Sequence, residues 1–402
     1  MAKARIHPTL KLAQAMAPKL VAWRRHLHMH PEPGLKEFET AAFIVERLRE
    51  LGITEIKTGV GITGVVALIR GARRGPTVAL RADMDSLEME EHNDIPYRSR
   101  RPGLMHACGH DGHVACLLGA GAILTKLRPQ LRGNVKLFFQ PAEESDGGAL
   151  RMIQAGCMSN PKVVAVAGLH LHPEGPSGAI GTMPGYFTAQ CDSIDLTILG
   201  RNAHAAGPDK GVDAISVASQ VVTAIQTFIG RHTSALDRKL VTFGQIHGGT
   251  RRNVIAERVE LVGTLRTLEP KGREAVLRFL RRDLPKLVGS WGAKMRLVIT
   301  ESYPPLVNDA GVVEVIREVT RQLLGPEAVL ELQKPSLGGE DFAYFGRESG
   351  AAAAMFRLGT RDERKGFIST LHTATFDFDD RRVLPIGTAM LVQVAVKLLG
   401  HS

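Results

Sequence analysis

The chain has 402 residues, of which 44% are hydrophobic and 23% are charged, and this composition excludes a disordered, collagen-like or coiled-coil protein. The length predicts two domains, because a single hydrophobic core stops growing at about 250–300 residues. The net charge is +10, but the basic residues are scattered and aromatic residues make up only 5%, so we expect a solvated basic surface and no binding to nucleic acid.

The first 184 residues alternate between helical and strand patterns. Apolar periodicity predicts helices at 18–29, 37–51 and 112–127, and strands at 64–69, 77–80, 135–139 and 163–167. Strands that alternate with helices at this spacing are typical of an α/β sheet with parallel segments.

The pattern changes near Pro184 to the order strand, helix, strand, strand, helix, strand, at 193–199, 213–229, 240–246, 257–265, 273–287 and 294–299. This order is that of the ferredoxin-like motif. After residue 301 the first pattern resumes, with helices at 312–324 and 386–399 and a strand at 351–357. We therefore expect a discontinuous, largely parallel α/β domain (1–184 and 302–402) interrupted by a ferredoxin-like α+β domain (185–301).

The four cysteines and the absence of a long apolar segment predict a cytoplasmic location. Few cysteines in a long chain argue against a disulfide framework. The first 20 residues lack an unbroken apolar region, and no segment has the roughly 18 uninterrupted apolar residues of a membrane span. We expect no membrane association.

The densest group of polar side chains lies in residues 105–113, MHACGHDGH, directly before a predicted buried helix. Cys108 and His110 are separated by one glycine, so both side chains could bind the same Zn, Mn or Co ion. The alternative is a helix start with a buried cysteine and capping groups, but the cluster is denser than packing requires.

Three further stretches add possible metal ligands. Glu143 and Glu144 follow a predicted strand, where one carboxylate could bind metal and the other could accept a proton; the alternative is a solvated acidic turn. His170 and His172 also come where an apolar strand ends, and only one of them need be a ligand. With His372, a late loop residue, this inventory predicts a site for two metal ions with an open water position.

Asp85 follows the strand at 77–80 and suits a different role. A carboxylate there could hydrogen-bond a ligand imidazole and select its tautomer. The alternative is a polar turn at the strand end.

The order of RADMDSL, MHACGHDGH, FFQPAEE, GLHLHP, NAHAAGP, GGTRRNVI, GGEDFAYF and STLHTATFDFDD resembles the M20 metallopeptidase family. The similarity is to its aminoacylase, hippurate hydrolase and auxin-conjugate hydrolase branch, and it extends from Trp23 to Leu399. The resemblance implies two divalent metal ions per subunit (Zn, Mn, Co or Ni). Its ligands would be Cys108, His110, Glu144, His170 and His372.

The resemblance also implies roles outside the ligand set. Glu143 would be the general base toward metal-activated water, and Asp85 would orient a ligand. His204 would stabilise the oxyanion in the active site of a partner subunit, and Asn253 and Arg266 would hold the substrate carboxylate. The inserted domain would serve dimerisation or act as a lid, in a homodimer or higher homo-oligomer.

The predicted activity is metal-dependent hydrolysis of the amide bond of N-acyl amino acids. A carboxypeptidase or dipeptidase acting on short peptides would need the same groups. A catalytically silent metal-binding paralogue would be expected to lack Glu143. A cysteine hydrolase with Cys108 as nucleophile would leave both glutamates and two histidines without a role. The part played by His172, an additional histidine beside a presumed ligand, stays open.

Overall fold

The computed structural model describes residues 6–145 and 147–400. Within these residues the chain forms two compact units, the first from the segments up to 185, 307–334 and from 341 onward, and the second from 186–306 and 335–340. Residues 335–340 group with the second unit because the amide of Ser336 donates to the carbonyl of Phe187 (3.0 Å) and the amide of Ala189 donates to the carbonyl of Gly338 (3.0 Å).

The first unit contains an eight-stranded sheet in the order β1-β2-β4-β3-β5-β14-β6-β13. Its strands are Glu55–Val60 (β1), Gly64–Arg70 (β2), Arg73–Asp83 (β3), Arg132–Gln140 (β4), Val163–Pro176 (β5), Ile180–Thr182 (β6), Val329–Glu331 (β13) and Ala352–Arg361 (β14). The central pairs β4–β3, β3–β5 and β5–β14 are parallel, and β1 and β2 add antiparallel pairs at one edge. The ends of β3, β4 and β5 therefore lie at one edge of the sheet, where α/β proteins place their ligands.

The helices of this unit are Pro8–Ala15 (α1), Ala17–Met29 (α2), Phe38–Glu50 (α3), His110–Leu127 (α4), Gly148–Gln154 (α5), Ala310–Leu324 (α9), Ala343–Ser349 (α10) and Asp380–Gly400 (α11). α4 is buried from His110 to Leu124. By length and composition, α11 is long and apolar enough to cross a membrane. However, 67% of its most apolar 18-residue stretch is buried inside the protein, as in a core helix.

The second unit is an antiparallel four-stranded sheet in the order β11-β8-β10-β9. Its strands are Gln190–Leu199 (β8), Lys239–Gly248 (β9), Arg258–Thr267 (β10) and Lys294–Tyr303 (β11). The helices are Ala214–Arg231 (α6), Pro270–Arg278 (α7) and Leu284–Ser290 (α8), with a π-helical segment at Phe279–Asp283 joining the last two. They pack over a separate apolar core. The remaining strands Gly185–Thr188 (β7) and Leu306–Asn308 (β12) pair with each other.

The predicted fold class, a largely parallel α/β unit with an inserted ferredoxin-like unit, is confirmed. Several strands extend beyond their predicted bounds, and the extension of β5 bears on the site. β5 does not end before His170 but continues to Pro176, because β14 pairs with it beyond His172. His170 and His172 therefore belong to a strand and point to the same face of the sheet.

Candidate metal centre and active site

Cys108 and His110 lie on either side of Gly109, the residue directly before α4. Gly109 between them has φ +83°, a left-handed conformation that favours glycine, and a Cβ there would lie 2.7 Å from Cδ1 of Leu171. This sharp turn brings both neighbouring side chains to the edge where β3, β4 and β5 end. Cys108 is 6% exposed and His110 only 1%.

The ring of His110 is oriented by Asp85, which follows β3. Its Nδ1 lies 3.1 Å from Oδ1 of Asp85 and 3.0 Å from the backbone carbonyl of the same residue. Both atoms are acceptors, so in the neutral ring the proton sits on Nδ1 and Nε2 carries the lone pair that a metal ion would use. The second oxygen of Asp85 accepts from the amide of Glu144 (2.9 Å), which links the two loops.

His170 offers its Nε2 in the same way. Its Nδ1 donates to the carbonyl of Leu171 (2.7 Å), and its Nε2 lies 3.5 Å from Sγ of Cys108. Burial lowers the pKa of His170 to about 3, so the ring is neutral and can act as a ligand.

His113, in the same sequence cluster, has both ring nitrogens engaged. Nδ1 donates to Oδ1 of Asp83 (2.6 Å), and Nε2 accepts from the amide of Leu171 (3.0 Å). This histidine therefore fastens α4 to β3 and β5, and the carboxylate of Asp83 is its anchor on β3.

Glu143 and Glu144 lie in the turn after β4. Ala142, directly before them, has φ +50°, and its amide donates to Oε1 of the buried Glu37 (2.8 Å). An uncommon backbone conformation of this kind persists only where the surroundings hold it, and such positions cluster at functional sites. Glu143 is 8% exposed and lies with Glu144 and His110 in one group of closely spaced potential ligand atoms.

Asp341, from the GGEDFAYF stretch, holds the segments on both sides of this turn. Its carboxylate accepts from Arg81 (3.1 Å), from Gln140 (2.7 Å) and from the amide of Ala149 at the start of α5 (2.9 Å). Asp341 is fully buried. It ties together the two sides of the Glu143 turn, a role that sequence reasoning missed because its partners are 192–260 positions away.

His372 comes from the loop before α11 and also has a left-handed backbone, with φ +58°. Its amide donates to the carbonyl of Ala107 (2.9 Å), which joins this loop to the Cys108 loop. Its Nε2 lies 3.3 Å from Sγ of Cys108 and 3.3 Å from Oε1 of Glu144.

These side chains form two three-residue groups that share Cys108: one with His110 and His170, the other with Glu144 and His372. In each group the ligand atoms lie within 4.8 Å of one another. Two buried atoms, Nε2 of His110 and Oε1 of Glu144, have no hydrogen-bond partner among the described residues. Thiolate, imidazole and carboxylate donors with unsatisfied atoms facing one another fit divalent ions such as Zn, Mn or Co.

The charges of the site also fit a cation. Burial opposes protonation of His110, but the carboxylates of Asp83, Asp85 and Glu144 together raise its pKa to about 10. Burial, followed by the charges of Glu144 and Glu143, raises the pKa of the Cys108 thiol well above its ordinary value. Positive charge is thus strongly favoured here, and a bound divalent ion would replace the protons on His110 and Cys108.

The remaining predicted residues lie in the second unit, and the structure brings two of them together. His204 forms an isolated bridge with Val254, next to Asn253, and the amide of Ala205 donates to the carbonyl of Asn253 (3.1 Å). Nδ1 of His204 accepts from the amide of Ala206 (3.1 Å), so the ring proton sits on Nε2.

Arg266 is not near Asn253 within one subunit. Asn253 precedes the start of β10 at Arg258, whereas Arg266 lies near the end of that strand. Arg258 and Arg266 are eight strand residues apart, about 26 Å at about 3.3 Å each, so Arg266 lies toward the opposite end of β10 from Asn253. Arg266 instead donates from Nη1 to Sγ of Cys191 (2.5 Å), its cross-strand partner on β8.

Comparisons with known proteins agree over nearly the whole chain. Residues 79–397 match the sequence model of Peptidase family M20/M25/M40. N-acetyl-L-cysteine deacetylase of Bacillus subtilis is 38% identical over 96% of this chain and 89% of its own length. Thermostable carboxypeptidase 1 of Saccharolobus solfataricus is 38% identical over 94% and 95% of the two chains, and IAA-amino acid hydrolase ILR1-like 2 of Arabidopsis thaliana is 36% identical over 97% and 88%.

A solved structure shows the same fold. The YXEP protein of Bacillus subtilis, described as a dinuclear metal binding peptidase from the M20 family, superposes with a TM-score of 0.83 at 30% identity and covers 97% of this chain and 99% of its own.

Proposed function

Because this chain belongs to Peptidase family M20/M25/M40, we propose that it is the metal-dependent amidohydrolase that releases an amino acid from an N-acyl amino acid. The observation that carries the proposal is the position of Glu143 beside two ligand groups that share Cys108. Relatives named as an N-acetyl-L-cysteine deacetylase and an IAA-amino acid hydrolase support this substrate class.

The ligand set would hold two divalent ions, which when bound supply Lewis acidity toward the amide carbonyl and toward water. Glu143 is not needed as a ligand in either group, so its carboxylate takes the proton of the attacking water and returns it to the departing amine. Asp85 keeps the His110 lone pair on Nε2.

His204 and Asn253 act together in this proposal. The Nε2 proton of His204 is a donor suited to an oxyanion, since Nδ1 already accepts from the backbone. Because Arg266 lies toward the opposite end of β10 from Asn253, about 26 Å from Arg258 at about 3.3 Å per residue, one carboxylate would not contact both in one subunit. The partner subunit's His204 and the partner subunit's Asn253 would therefore act at a site in which the first subunit supplies Arg266 to hold the substrate carboxylate.

The surface of the second unit supports such a dimer. α6 carries no charged residue before Arg231, and its exposed side chains are uncharged: Ile215, Ser216, Ser219, Gln220, Thr223, Gln226 and Thr227. β9 is the neighbouring edge strand, and its Ile246 is 59% exposed. Depletion of charge is typical of the core of an interface, and an open edge can pair with a second copy.

The metal centre also bears on the two rival activities. A carboxypeptidase acting on peptides would use the same groups, and a relative with that name keeps it as the second candidate. A cysteine nucleophile needs a lowered thiol pKa, whereas burial raises the pKa of Cys108.

All four cysteines are free and buried, which supports the predicted cytoplasmic, reducing location.

The test is hydrolysis of N-acetyl, N-benzoyl and indoleacetyl amino acids and of dipeptides, after chelation and after return of Zn, Mn, Co or Ni. Metal-restored release of an amino acid from the acylated compounds is the expected result. Faster turnover of dipeptides would support the carboxypeptidase instead.

Glu143→Gln tests the general base, with Glu363→Gln, an exposed carboxylate paired with Arg361, as the matched control. We expect Glu143→Gln to bind metal normally and to lose about 10²- to 10⁴-fold in kcat. A variant that keeps near-full turnover would exclude this residue as the base.

A further inference from the structure

His372 is the least sheltered of the five candidate ligands. Its side chain is 52% exposed, whereas that of Glu144 is 12% exposed and His110 is almost completely buried. It lies in a loop with a left-handed backbone, so no helix or strand fixes its ring. Its own amide donates to the carbonyl of Ala107 (2.9 Å), and its position depends further on what holds the residues that follow it.

The loop after His372 is held by the segment 91–97. The OH of Tyr97 donates to Oδ2 of Asp377 (2.7 Å), and the side-chain amide of Asn93 donates to the carbonyl of Phe376 (3.2 Å). Asp377 thus has one carboxylate oxygen committed to this segment, five residues after the ligand.

The other oxygen of Asp377 belongs to Arg24 of α2, which is completely buried. Nη2 of Arg24 lies 2.8 Å from Oδ1 of Asp377, and its Nε donates to Oδ2 of Asp111 (2.7 Å). The guanidinium packs over the ring of Phe378 at 4.6 Å. Asp111 is the residue after His110, so one planar cation connects the start of α4 with the His372 loop.

We infer that Arg24 and Tyr97 are positioning residues, which act through Asp377 to hold His372 at the metal centre. Neither side chain is a ligand. Their effect falls on the ion that Glu144 and His372 bind, since His170 reaches Cys108 from β5 and needs no support from this loop. The inference rests on the proposed function, because it presupposes the two-ion site.

The physical basis is the burial of the Arg24 charge. An ion pair excluded from water holds its geometry strongly, because separating the partners would leave an uncompensated buried charge. The planar guanidinium donates through Nε to Asp111 while its Nη2 lies 2.8 Å from Asp377, and a lysine ammonium would not pair with both carboxylates in the same fixed geometry. The connection therefore resists the fraying expected of an exposed loop and keeps His372 in its left-handed conformation.

The test titrates chelated, full-length protein with Co²⁺ and follows both the visible absorption of the bound ion and the heat of binding. The variants are Tyr97→Phe, which removes one hydroxyl, and Asp377→Asn, which removes the charge facing Arg24. His372→Ala identifies the ion in question. Lys365→Gln is the matched control, because it breaks an exposed ion pair with Asp379 in the same segment but contacts neither Arg24 nor Tyr97.

We expect Tyr97→Phe and Asp377→Asn to weaken one of the two Co²⁺ ions by about 10- to 100-fold, the same ion that His372→Ala loses, and to leave the other ion unchanged. Tyr97→Phe alone decides the question if Asp377→Asn does not fold. Two ions bound with unaltered affinity, or two ions weakened equally, would overturn the inference while the proposed function stands. Fewer than two Co²⁺ ions bound by the unaltered protein would instead overturn the proposed function, and the inference with it.

Discussion

Replacing Asp85 by asparagine separates two contributions that this carboxylate makes to the metal centre. Oδ1 faces Nδ1–H of His110 (3.1 Å) and Oδ2 faces the amide of Glu144 (2.9 Å). Both partners are donors, so both oxygens are needed. Asparagine has the same shape but only one oxygen, and its NH₂ group must then face a donor.

The expected loss is limited by the backbone of the same residue. The carbonyl of Asp85 also lies 3.0 Å from Nδ1 of His110, so the imidazole keeps its tautomer in the variant. What disappears is one hydrogen bond to a charged acceptor, worth about 1.5–3 kcal/mol. Since each 1.4 kcal/mol is a factor of ten, Asp85→Asn should weaken Co²⁺ binding by about 10- to 100-fold.

The assay is Co²⁺ titration of the chelated protein, together with kcat/KM on the best N-acyl amino acid. Asp85→Ala, which removes both oxygens, serves as the upper bound and should lose more than Asp85→Asn. Unaltered metal affinity in Asp85→Asn, or equal losses in the two variants, would refute the reasoning that both oxygens are used.

Three other perturbations follow from the geometry. Gly109→Ala should cost about 1–2 kcal/mol for the left-handed backbone and more from the contact with Leu171, so a loss of unfolding free energy and of Co²⁺ affinity is expected, and an unchanged urea midpoint would contradict it. His28→Gln should destabilise the fold more at pH 6 than at pH 9. Burial and Arg24 oppose protonation of His28, but its contacts with Asp111 (2.8 Å) and Glu91 raise its pKa above the ordinary 6.5. That stabilisation is complete below pH 6.5 and is lost as the pH rises through the folded value, so a pH-independent difference in urea unfolding would argue against it. Thr223→Arg should convert the predicted dimer into a poorly active monomer on gel filtration, and a fully active monomer would remove the role of the second subunit.

The sequence by itself determined the class of the fold and the inventory of the site. The order of strand and helix patterns from 193 to 299 matches β8, α6, β9, β10, the α7–α8 region and β11 one for one, because each pattern depends on local periodicity. Glu143, Glu144 and His170 could be grouped because polar residues near the ends of neighbouring parallel strands meet at one edge of the sheet, whereas Cys108 was identified from the dense polar cluster before a predicted helix.

Tertiary structure alone decided how those side chains are held. Arg24 is 87 positions from Asp111, and Asp341 is 192 positions from Ala149, so no local pattern could indicate either contact. The extent of β5 depended on its pairing with β14, and the separation of Asn253 from Arg266 depended on the direction of β10. Periodicity reports which face of an element is apolar, whereas the partner of a buried charge is set by which distant segments the folded chain brings into contact.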